Sequence, residues 1–434
     1  SRDRSATRLM SRNKRYLALL VVLGLSLAAL GISIFSRSQQ PIEVLPEEVQ
    51  PPGRWHFQSR RLADPEVSDE LARVLSLPYV SGKSSAPGRA GVIRYLPDRA
   101  FNGFNLYVSG HGPEAVLVDM DGQEVHSWSH SFEQAFPDKE PTVETPFFRR
   151  AHLYPNGDLL VIFQGGGMIK LDPQSRLLWS HDLPFYNHLF VAADGTIFSI
   201  AKSARMIPSL RPTEPVLEDS IVTLNHDGEL LTRLPILECF ANSEFGELIH
   251  PLPDHADIFH TNTVVPIGDT AGTTPWQPGD LMVSLREVDI VALIDADQRT
   301  VRSAWRGPWK AQHQPLPLSG HRILLFDNRG AGDHSRVVEF DPVSGEMVWE
   351  FSGSDGDRLR SPEAGSCQRL PNGNTLITDS EMGRALEVTA AREPVWEFVS
   401  PHRAGRRGEL VATLFEVVRI PAAELEFRPG HIVD

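Results

Sequence analysis

Three histidines stand at matching positions ahead of three turn glycines, and their spacing indicates a shared chemical site. The pairs, seven, eight and seven residues apart, are His188 and Gly195, His260 and Gly268, and His313 and Gly320. Their surroundings differ (FYNHLF, IFHTNTV and AQHQPLP), so one copied structural side chain does not explain all three. A neutral imidazole is a good nucleophile, and it can also exchange protons near neutral pH. We therefore predict a reaction site, whereas His152, inside a strand, is predicted to be structural.

Polar side chains in the same repeats point to an anionic ligand. Arg286 and Asn328 follow second strands, and Asn262 lies two residues after His260, on the same face of an extended strand. The planar guanidinium fork of an arginine suits sulfate or phosphate oxygens. A transition metal held by the three histidines is the alternative. Because Arg286 and Asn262 fit an oxyanion better, we predict no metal and no cofactor.

The elements that position these residues recur every 40–50 residues, a period typical of propeller blades. Each unit contains four short strands with a Gly turn after the first. Five units are complete, at 152–179, 188–234, 260–305, 315–351 and 367–398. A sixth unit is split between the two ends of the sequence. Its second, third and fourth strands are predicted at 105–108, 116–119 and 125–128, and its first strand is predicted at 415–421.

We predict an all-β fold, a six-bladed β-propeller over residues 101–425, in which the C-terminal strand closes the first blade. Closure of the ring removes two exposed sheet edges. Residues just before each first strand and just after each second strand then meet at one mouth of the central channel. An open β-sandwich of similar strands is the alternative.

The N-terminal region predicts a membrane anchor. Six basic residues and one acidic residue occupy positions 1–15, and residues 16–35 carry no charge. Twenty such residues can cross a bilayer as a helix, and the basic flank favours a cytoplasmic N-terminus. A cleaved signal peptide is the alternative. The remaining predicted regions are a tether and strap at 36–100 and a tail at 426–434.

This topology predicts a single-pass membrane protein with the propeller outside the cytoplasm. The net charge of −14 and the lack of a basic patch in the propeller argue against a nucleic-acid partner. Cys239 and Cys367 are the only cysteines in the sequence, and they could pair in an oxidising compartment. A protein partner is left open.

Several segments resemble the bacterial arylsulfate sulfotransferase family. They are FHTNTV (259–264), SLREVDIVALID (284–295), AQHQP (311–315), FDNRG (326–330) and CQRLPNGNTL (367–376). FNLYVSG and AVLVDMDGQEVHSW, within 104–128, look like smaller, membrane-anchored members. The resemblance implies a six-bladed propeller that transfers a sulfuryl group from a phenolic sulfate ester to a phenol. It implies no nucleotide sulfate donor and a transiently sulfated histidine. Together with the predicted anchor, it implies a location in a bacterial inner membrane, with the propeller periplasmic or extracellular.

Carried over by motif, the resemblance implies that His313 is the nucleophile. His260, Arg286 and His188 complete the predicted catalytic set. Asn262, and Asn328 in the FDNRG segment, are predicted to bind substrate. His260 or His188, protonated near neutral pH, is expected to supply a proton to the leaving phenolate, and Arg286 to stabilise charge on the transferred group.

Two other functions compete with sulfuryl transfer. One is a quinoprotein-like periplasmic dehydrogenase, whose eight-bladed form does not fit six repeats. The other is a non-enzymatic, membrane-anchored propeller that acts as a binding or assembly module.

Overall fold

The protein folds as a β-propeller of six antiparallel sheets, as seen in a computed structural model. The structure describes residues 81–142, 145–268, 276–354, 356–405 and 407–427. The predicted all-β six-bladed propeller is confirmed. Within the described ranges no helix is long and apolar enough to span a membrane. The predicted anchor at 16–35 lies outside those ranges.

Twenty-nine strands are present in the described residues. The first twelve are β1 (Gly91–Tyr95), β2 (Phe104–Ser109), β3 (Glu114–Val118), β4 (Glu124–Ser129), β5 (Arg150–Leu153), β6 (Leu159–Phe163), β7 (Gly167–Leu171), β8 (Leu177–His181), β9 (Phe185–Val191), β10 (Ile197–Met206), β11 (Pro215–Leu224) and β12 (Leu230–Pro235).

The others are β13 (Thr261–Pro266), β14 (Leu281–Leu285), β15 (Ile290–Asp295), β16 (Thr300–Trp305), β17 (His313–Leu318), β18 (Arg322–Asp327), β19 (Arg336–Asp341), β20 (Glu346–Phe351), β21 (Gly353–Ser354), β22 (Asp357–Arg358), β23 (Ser366–Arg369), β24 (Thr375–Asp379), β25 (Arg384–Val388), β26 (Pro394–Val399), β27 (Arg403–Ala404), β28 (Leu410–Val411) and β29 (Leu414–Ile420). The short α-helices are α1 (Phe132–Ala135) and α2 (Ile236–Ala241). Four 3₁₀ turns span Gly246–Ile249, Arg286–Val288, Ser380–Met382 and Ala422–Glu424.

Each blade runs from an inner to an outer strand. Blade 1 has the order β29-β2-β3-β4, blades 2 to 5 are β5–β8, β9–β12, β13–β16 and β17–β20, and blade 6 is β23-β24-β25-β26-β1. The middle strands β6, β14 and β24 are buried at every position, because both of their faces pack against neighbouring blades. The outer strand β20 instead alternates between exposed and half-buried side chains.

The two ends of the described chain close the ring. Strand β29 pairs antiparallel with β2, so that Phe104 faces Ile420 and Leu106 faces Val418. Strand β1 adds a fifth strand to blade 6, with Gly91 opposite Val399. The sequence interpretation assigned residues 36–100 to a tether and strap and did not predict β1. This strand covers the outer edge of β26, which would otherwise expose unpaired backbone groups.

Recurrent tryptophans in the outer strands join neighbouring blades. The indole N–H of Trp128 donates to Gly157 O at 3.1 Å, and that of Trp396 donates to Met120 O at 3.0 Å. Trp349 donates to Ala390 O at 3.0 Å. Each bond satisfies the polar end of a large apolar side chain, which explains why the repeat keeps a tryptophan at this position.

The first hairpin turn of blade 2 follows from its sequence. Gly157 has φ +89°, a left-handed conformation that glycine adopts without a steric penalty. The side chain of Asn156 accepts a hydrogen bond from the Asp158 N–H at 3.1 Å, which fixes the turn. Cys239 and Cys367 are both free and buried, so the pairing considered from the sequence is not formed.

Candidate functional site

The predicted catalytic residues lie on or beside the first two strands of blades 3 to 5. His188 is in β9, His260 immediately precedes β13, and His313 begins β17. Arg286 follows β14 and opens a 3₁₀ turn. All four side chains are buried, with at most 4% of their surface exposed. Burial lowers the pKa of both His260 and His313, and the charge of Arg286 adds to this effect.

Irregularities in the inner strands locally redirect the backbone beside these histidines. The pairing of β9 with β10 shifts register around Asn187, and the pairing of β17 with β18 shifts around Gln314. Asn187 and Gln314 have φ values of +54° and +49°, which are uncommon for residues with a Cβ atom. Bulges of this kind re-aim side chains and are frequent next to active sites.

The ring of His313 is held in one tautomer. Its Nδ1 lies 2.7 Å from Asn328 Oδ1 and 3.1 Å from Ala311 O. The Asn328 amide is oriented by its own Nδ2, which donates to Ser361 O and Ala364 O. Both neighbours of Nδ1 are therefore acceptors, and the ring proton must reside on Nδ1.

The other nitrogen of His313, Nε2, consequently carries a lone pair. It is buried and has no hydrogen-bond partner among the described residues. Burial first, and then Arg286, hold the pKa of His313 well below its usual value. The site therefore contains a neutral imidazole with its basic nitrogen unoccupied.

The other two histidines are also neutral near pH 7. Burial and then Arg150 lower the pKa of His188 to about 3. Burial and then Lys202 lower the pKa of His260 to about 4, despite the neighbouring Asp257. This corrects the expectation that either histidine is protonated near neutral pH. Desolvation in the channel penalises the charged ring more than nearby carboxylates stabilise it.

Arg286 is engaged by two carboxylates. It forms hydrogen-bonded ion pairs with Glu287 and with Glu363, the latter at 2.5 Å. Although burial opposes the shift, His255 and Arg286 lower the pKa of Glu287 to about 2. Arg329 also pairs with Glu363. Arg286 Nε is the remaining nitrogen of the guanidinium, buried and without a partner in the described part of the chain.

The two predicted substrate-binding asparagines have their amides directed at protein atoms. Asn262 Nδ2 donates to Gln312 O at 2.7 Å, and Asn262 Oδ1 accepts from the Thr263 hydroxyl at 3.1 Å. Asn262 thereby ties blade 4 to the residue before His313, and Asn328 orients the His313 ring. Substrate contact by either asparagine stays a prediction.

His260 belongs to a buried network that the sequence interpretation missed. Its Nδ1 lies 2.6 Å from Asp257 Oδ2, and Lys202 Nζ lies 2.6 Å from the same oxygen. Lys202 Nζ is also 3.8 Å from Asp219 Oδ1 and 4.2 Å from the centre of the Tyr186 ring. A cation, two carboxylates and an imidazole thus share one side of the channel.

The sequence contained a signal for Lys202. Lys202 lies seven residues after the turn Gly195, as Gln164 lies seven after Gly157. In blade 3, the last residue pair between β9 and β10 is Phe185 with Ala201, and Lys202 is the next residue. In blade 4, Arg286 likewise comes directly after Leu285, the last residue of β14 that pairs with β13. This equivalence is hard to see in the sequence because β10 continues to Met206, so Lys202 does not stand at the end of its strand.

Blade 2 contributes Arg149, which was also missed. It is 1% exposed, its Nε donates to Gln164 Oε1 at 3.0 Å, and its charge lowers the pKa of both His188 and His313. His152, predicted to be structural, packs its ring edge-on against Tyr154 at 4.9 Å. Among the described residues no group of His, Cys, Asp or Glu is arranged to hold a metal ion.

Several solved structures resemble the chain distantly. A Bacteroides caccae protein of unknown function is 13% identical with a TM-score of 0.47, covering 69% of this chain and 94% of that chain. Virginiamycin B lyase from Staphylococcus aureus is 11% identical with a TM-score of 0.35, and the match covers 58% of this chain and 69% of the lyase chain. Apo AztD from Citrobacter koseri is 10% identical with a TM-score of 0.39, and the match covers 74% of this chain and 98% of the AztD chain. These similarities are too distant to bear on function.

No curated protein matches the chain. The model of the arylsulfotransferase (ASST) family matches residues 150–401, which include all six predicted site residues. Because this match spans more than half of the 434 residues, the chain belongs to the arylsulfotransferase family.

Proposed function

We propose that this protein transfers a sulfuryl group from a phenolic sulfate ester to a phenol through a sulfated His313, without a nucleotide sulfate donor. The observation that carries the proposal is the fixed tautomer of His313. Asn328 and the Ala311 carbonyl retain the proton on Nδ1, so Nε2 presents its lone pair. A nucleophile of this type needs no deprotonation before it attacks.

The reaction divides into two displacements at sulfur. In the first, His313 Nε2 bonds to sulfur, the bond from sulfur to the aryl oxygen breaks, and a phenolate leaves. In the second, the acceptor phenol oxygen bonds to sulfur, the S–N bond breaks, and the phenol proton passes to a base. His260 is the proposed base, because burial and Lys202 keep its imidazole neutral. The same proton later neutralises a leaving phenolate.

Arg286 is the proposed stabiliser of charge on the sulfuryl oxygens. Its Nε is an unpartnered buried donor, and its charge acts on both His260 and His313. A preorganised donor in a site closed to water acts strongly on a developing negative charge. The charge of Arg149 in blade 2 adds to the effect of burial on His188 and His313.

Mass spectrometry after brief exposure to 4-nitrophenyl sulfate tests the nucleophile. We expect one added sulfuryl group, stable to alkali and labile to acid, on the peptide that contains His313. His313→Asn should lose both the adduct and turnover, whereas the matched control His152→Asn should keep both. An adduct that persists in His313→Asn would move the nucleophile to His260 or His188.

A non-enzymatic binding module is the second candidate function. The observation in its favour is that Arg286 already pairs with Glu287 and Glu363. A protein without turnover and without an adduct on a panel of aryl sulfates would support this alternative. Steady release of nitrophenol in the presence of a phenol acceptor would exclude it.

We also propose that residues 16–35 anchor the protein in a bacterial inner membrane with the propeller outside the cytoplasm. The charge asymmetry around this uncharged stretch supports the orientation. A reporter that is active only outside the cytoplasm, fused after Asp434, should be active. A silent but stably expressed fusion would reverse the orientation.

A further inference from the structure

We propose that Asp257 is a positioning residue, which holds the His260 imidazole with its proton on Nδ1 so that Nε2 exchanges the phenol proton. This inference rests on the proposed sulfuryl transfer and adds a residue that the family resemblance did not supply. The channel brings three charged or titratable groups together at one point: Asp257, His260 and Lys202.

One carboxylate holds His260 at two places. Asp257 Oδ2 lies 2.6 Å from the ring Nδ1, and Asp257 Oδ1 accepts the backbone N–H of His260 at 3.1 Å. His260 has φ +46°, so the backbone contact helps to stabilise an uncommon conformation. The carboxylate therefore fixes both the position of the residue and the direction of its ring.

Lys202 keeps Asp257 ionised. Its ammonium group lies 2.6 Å from Asp257 Oδ2, and both side chains are buried. Burial alone would raise the pKa of Asp257, but Lys202 and His260 together hold it below its usual value. An ionised carboxylate only accepts hydrogen bonds, so the His260 proton must lie on Nδ1.

The proton balance of the reaction requires this tautomer. In the acceptor step the phenol O–H bond breaks and its proton forms an N–H bond at His260 Nε2. The ring is then an imidazolium, stabilised by Asp257. In the next donor step Nε2 returns that proton to the departing phenolate, and the neutral ring is restored. A ring with its proton on Nε2 could not accept the phenol proton there.

The two half-reactions separate this role from nucleophilic attack. A 4-nitrophenolate is a good leaving group and needs little help from an acid, whereas a phenol acceptor needs a base. Asp257→Asn should therefore keep the rapid burst of nitrophenolate that accompanies sulfation of His313. Its steady-state turnover with phenol should fall by about 100-fold, the lower end of the range for general base catalysis.

Asp219→Asn is the matched control. Asp219 is a second buried carboxylate near Lys202, and it accepts the Thr261 backbone N–H at 2.6 Å rather than a His260 proton. We expect less than a tenfold loss of steady-state turnover in this variant. Equal losses in the two variants, or a lost burst in Asp257→Asn alone, would overturn the inference.

Nuclear magnetic resonance of the native protein tests the tautomer without any change to Asp257. With ¹⁵N-labelled histidine, His260 should show a protonated Nδ1 with a strongly downfield proton and an unprotonated Nε2. The opposite tautomer would overturn the inference even if Asp257→Asn does not fold. A wild-type protein with neither burst nor adduct would instead contradict the proposed function, and the tautomer measurement would still stand.

Discussion

Two regions of this propeller use buried charges differently, the channel mouth of blades 3 to 5 and the seam where blade 6 meets blade 1. At the seam, Arg419 and Glu387 are both fully buried and lie 2.9 Å apart. Glu387 also accepts the Phe101 N–H and the Asn374 amide, each at 2.7 Å. Arg419 donates to Asn105 Oδ1 at 2.6 Å. These charged groups face one another and connect segments from both ends of the described chain.

One seam nitrogen, Arg419 Nη2, has no hydrogen-bond partner among the described residues, although the rest of that ion pair is bonded. At the channel mouth the unpartnered atoms include those of the predicted reactive groups. His313 Nε2 and Arg286 Nε are buried and unbonded within the described ranges. A buried polar atom without a hydrogen bond is costly, typically by about 1–3 kcal/mol. The comparison indicates that the seam uses its charges to hold the fold, whereas the mouth retains unused hydrogen-bonding capacity that suits a polar ligand.

Loss of the closing strand should have the largest effect on the seam. A chain that ends at residue 410 lacks β29, exposes the edge of β2 and leaves Glu387 without Arg419. We expect no cooperative unfolding transition for this chain and a tendency to aggregate. A chain that ends at residue 427 is the control and should melt like the full protein. A soluble monomer of the shorter chain with an unchanged melting temperature would show that the seam does not hold the ring.

Glu387→Gln should break the seam without removing a strand. The substitution leaves the Arg419 charge buried without an opposite charge, and the expected loss of unfolding free energy is about 3–5 kcal/mol. The exposed pair Arg99 and Glu393 supplies the control, since Glu393→Gln should cost less than about 1 kcal/mol. Urea unfolding measures both values. Similar losses in the two variants would place the seam among ordinary surface contacts.

Arg286→Gln should affect the mouth and spare the seam. We expect turnover of an aryl sulfate to fall about 100- to 1,000-fold through the loss of a preorganised donor. His255 and Arg329 still partner Glu287 and Glu363, which limits the loss of stability. Initial rates and melting temperatures measure the two effects. Arg329→Gln is the control, with less than a tenfold loss of turnover expected; a larger loss there would shift the anion site towards Arg329.

A change from pH 7 to pH 6 should produce the smallest effect. The pKa of His188 is lowered to about 3 and that of His260 to about 4, so the unfolded chain binds these protons more tightly. The contribution of these neutral histidines to the free energy of unfolding is therefore complete above about pH 6.5. It falls as the pH drops from there towards 4, by at most about 1.4 kcal/mol per pH unit for each histidine. Urea midpoints at pH 7, 6 and 5 measure the slope. His188→Gln should reduce it, and the same change at the exposed His226 should not.

Much of the fold was predictable because the repeat is local. Turn residues such as Asn156 and Gly157, alternating apolar strands and a recurrent outer tryptophan identify each blade without tertiary information. The split unit also predicted that the strand ending at Ile420 would pair with the one beginning at Phe104. Strand β1 was missed because it lies outside the repeat, and its pairing with β26 depends on an edge that exists only once blade 6 has formed.

The candidate site was predicted to the level of its residue types. Spacing from the turn glycines predicted that His188, His260 and His313 converge on the channel, and the structure places them on or beside the inner strands of three successive blades. Their protonation was not predictable, since it depends on how completely the folded channel excludes water. Asp257 and Lys202 are 55 residues apart in sequence, and nothing local marks them as partners.

The sequence by itself determined the number of blades and the split of the first blade, and it predicted that the histidines and Arg286 meet at one mouth. These properties follow from repeated short-range patterns, which the chain carries at every unit. The tertiary structure decided which nitrogen of His313 carries the proton, that Arg286 is shared with Glu287 and Glu363, and that Lys202 stands beside Asp257. These contacts join residues that the sequence separates, such as Asn328 with Ser361, Arg286 with Glu363 and Lys202 with Asp257, and burial in the closed ring makes them strong enough to fix protons and charges.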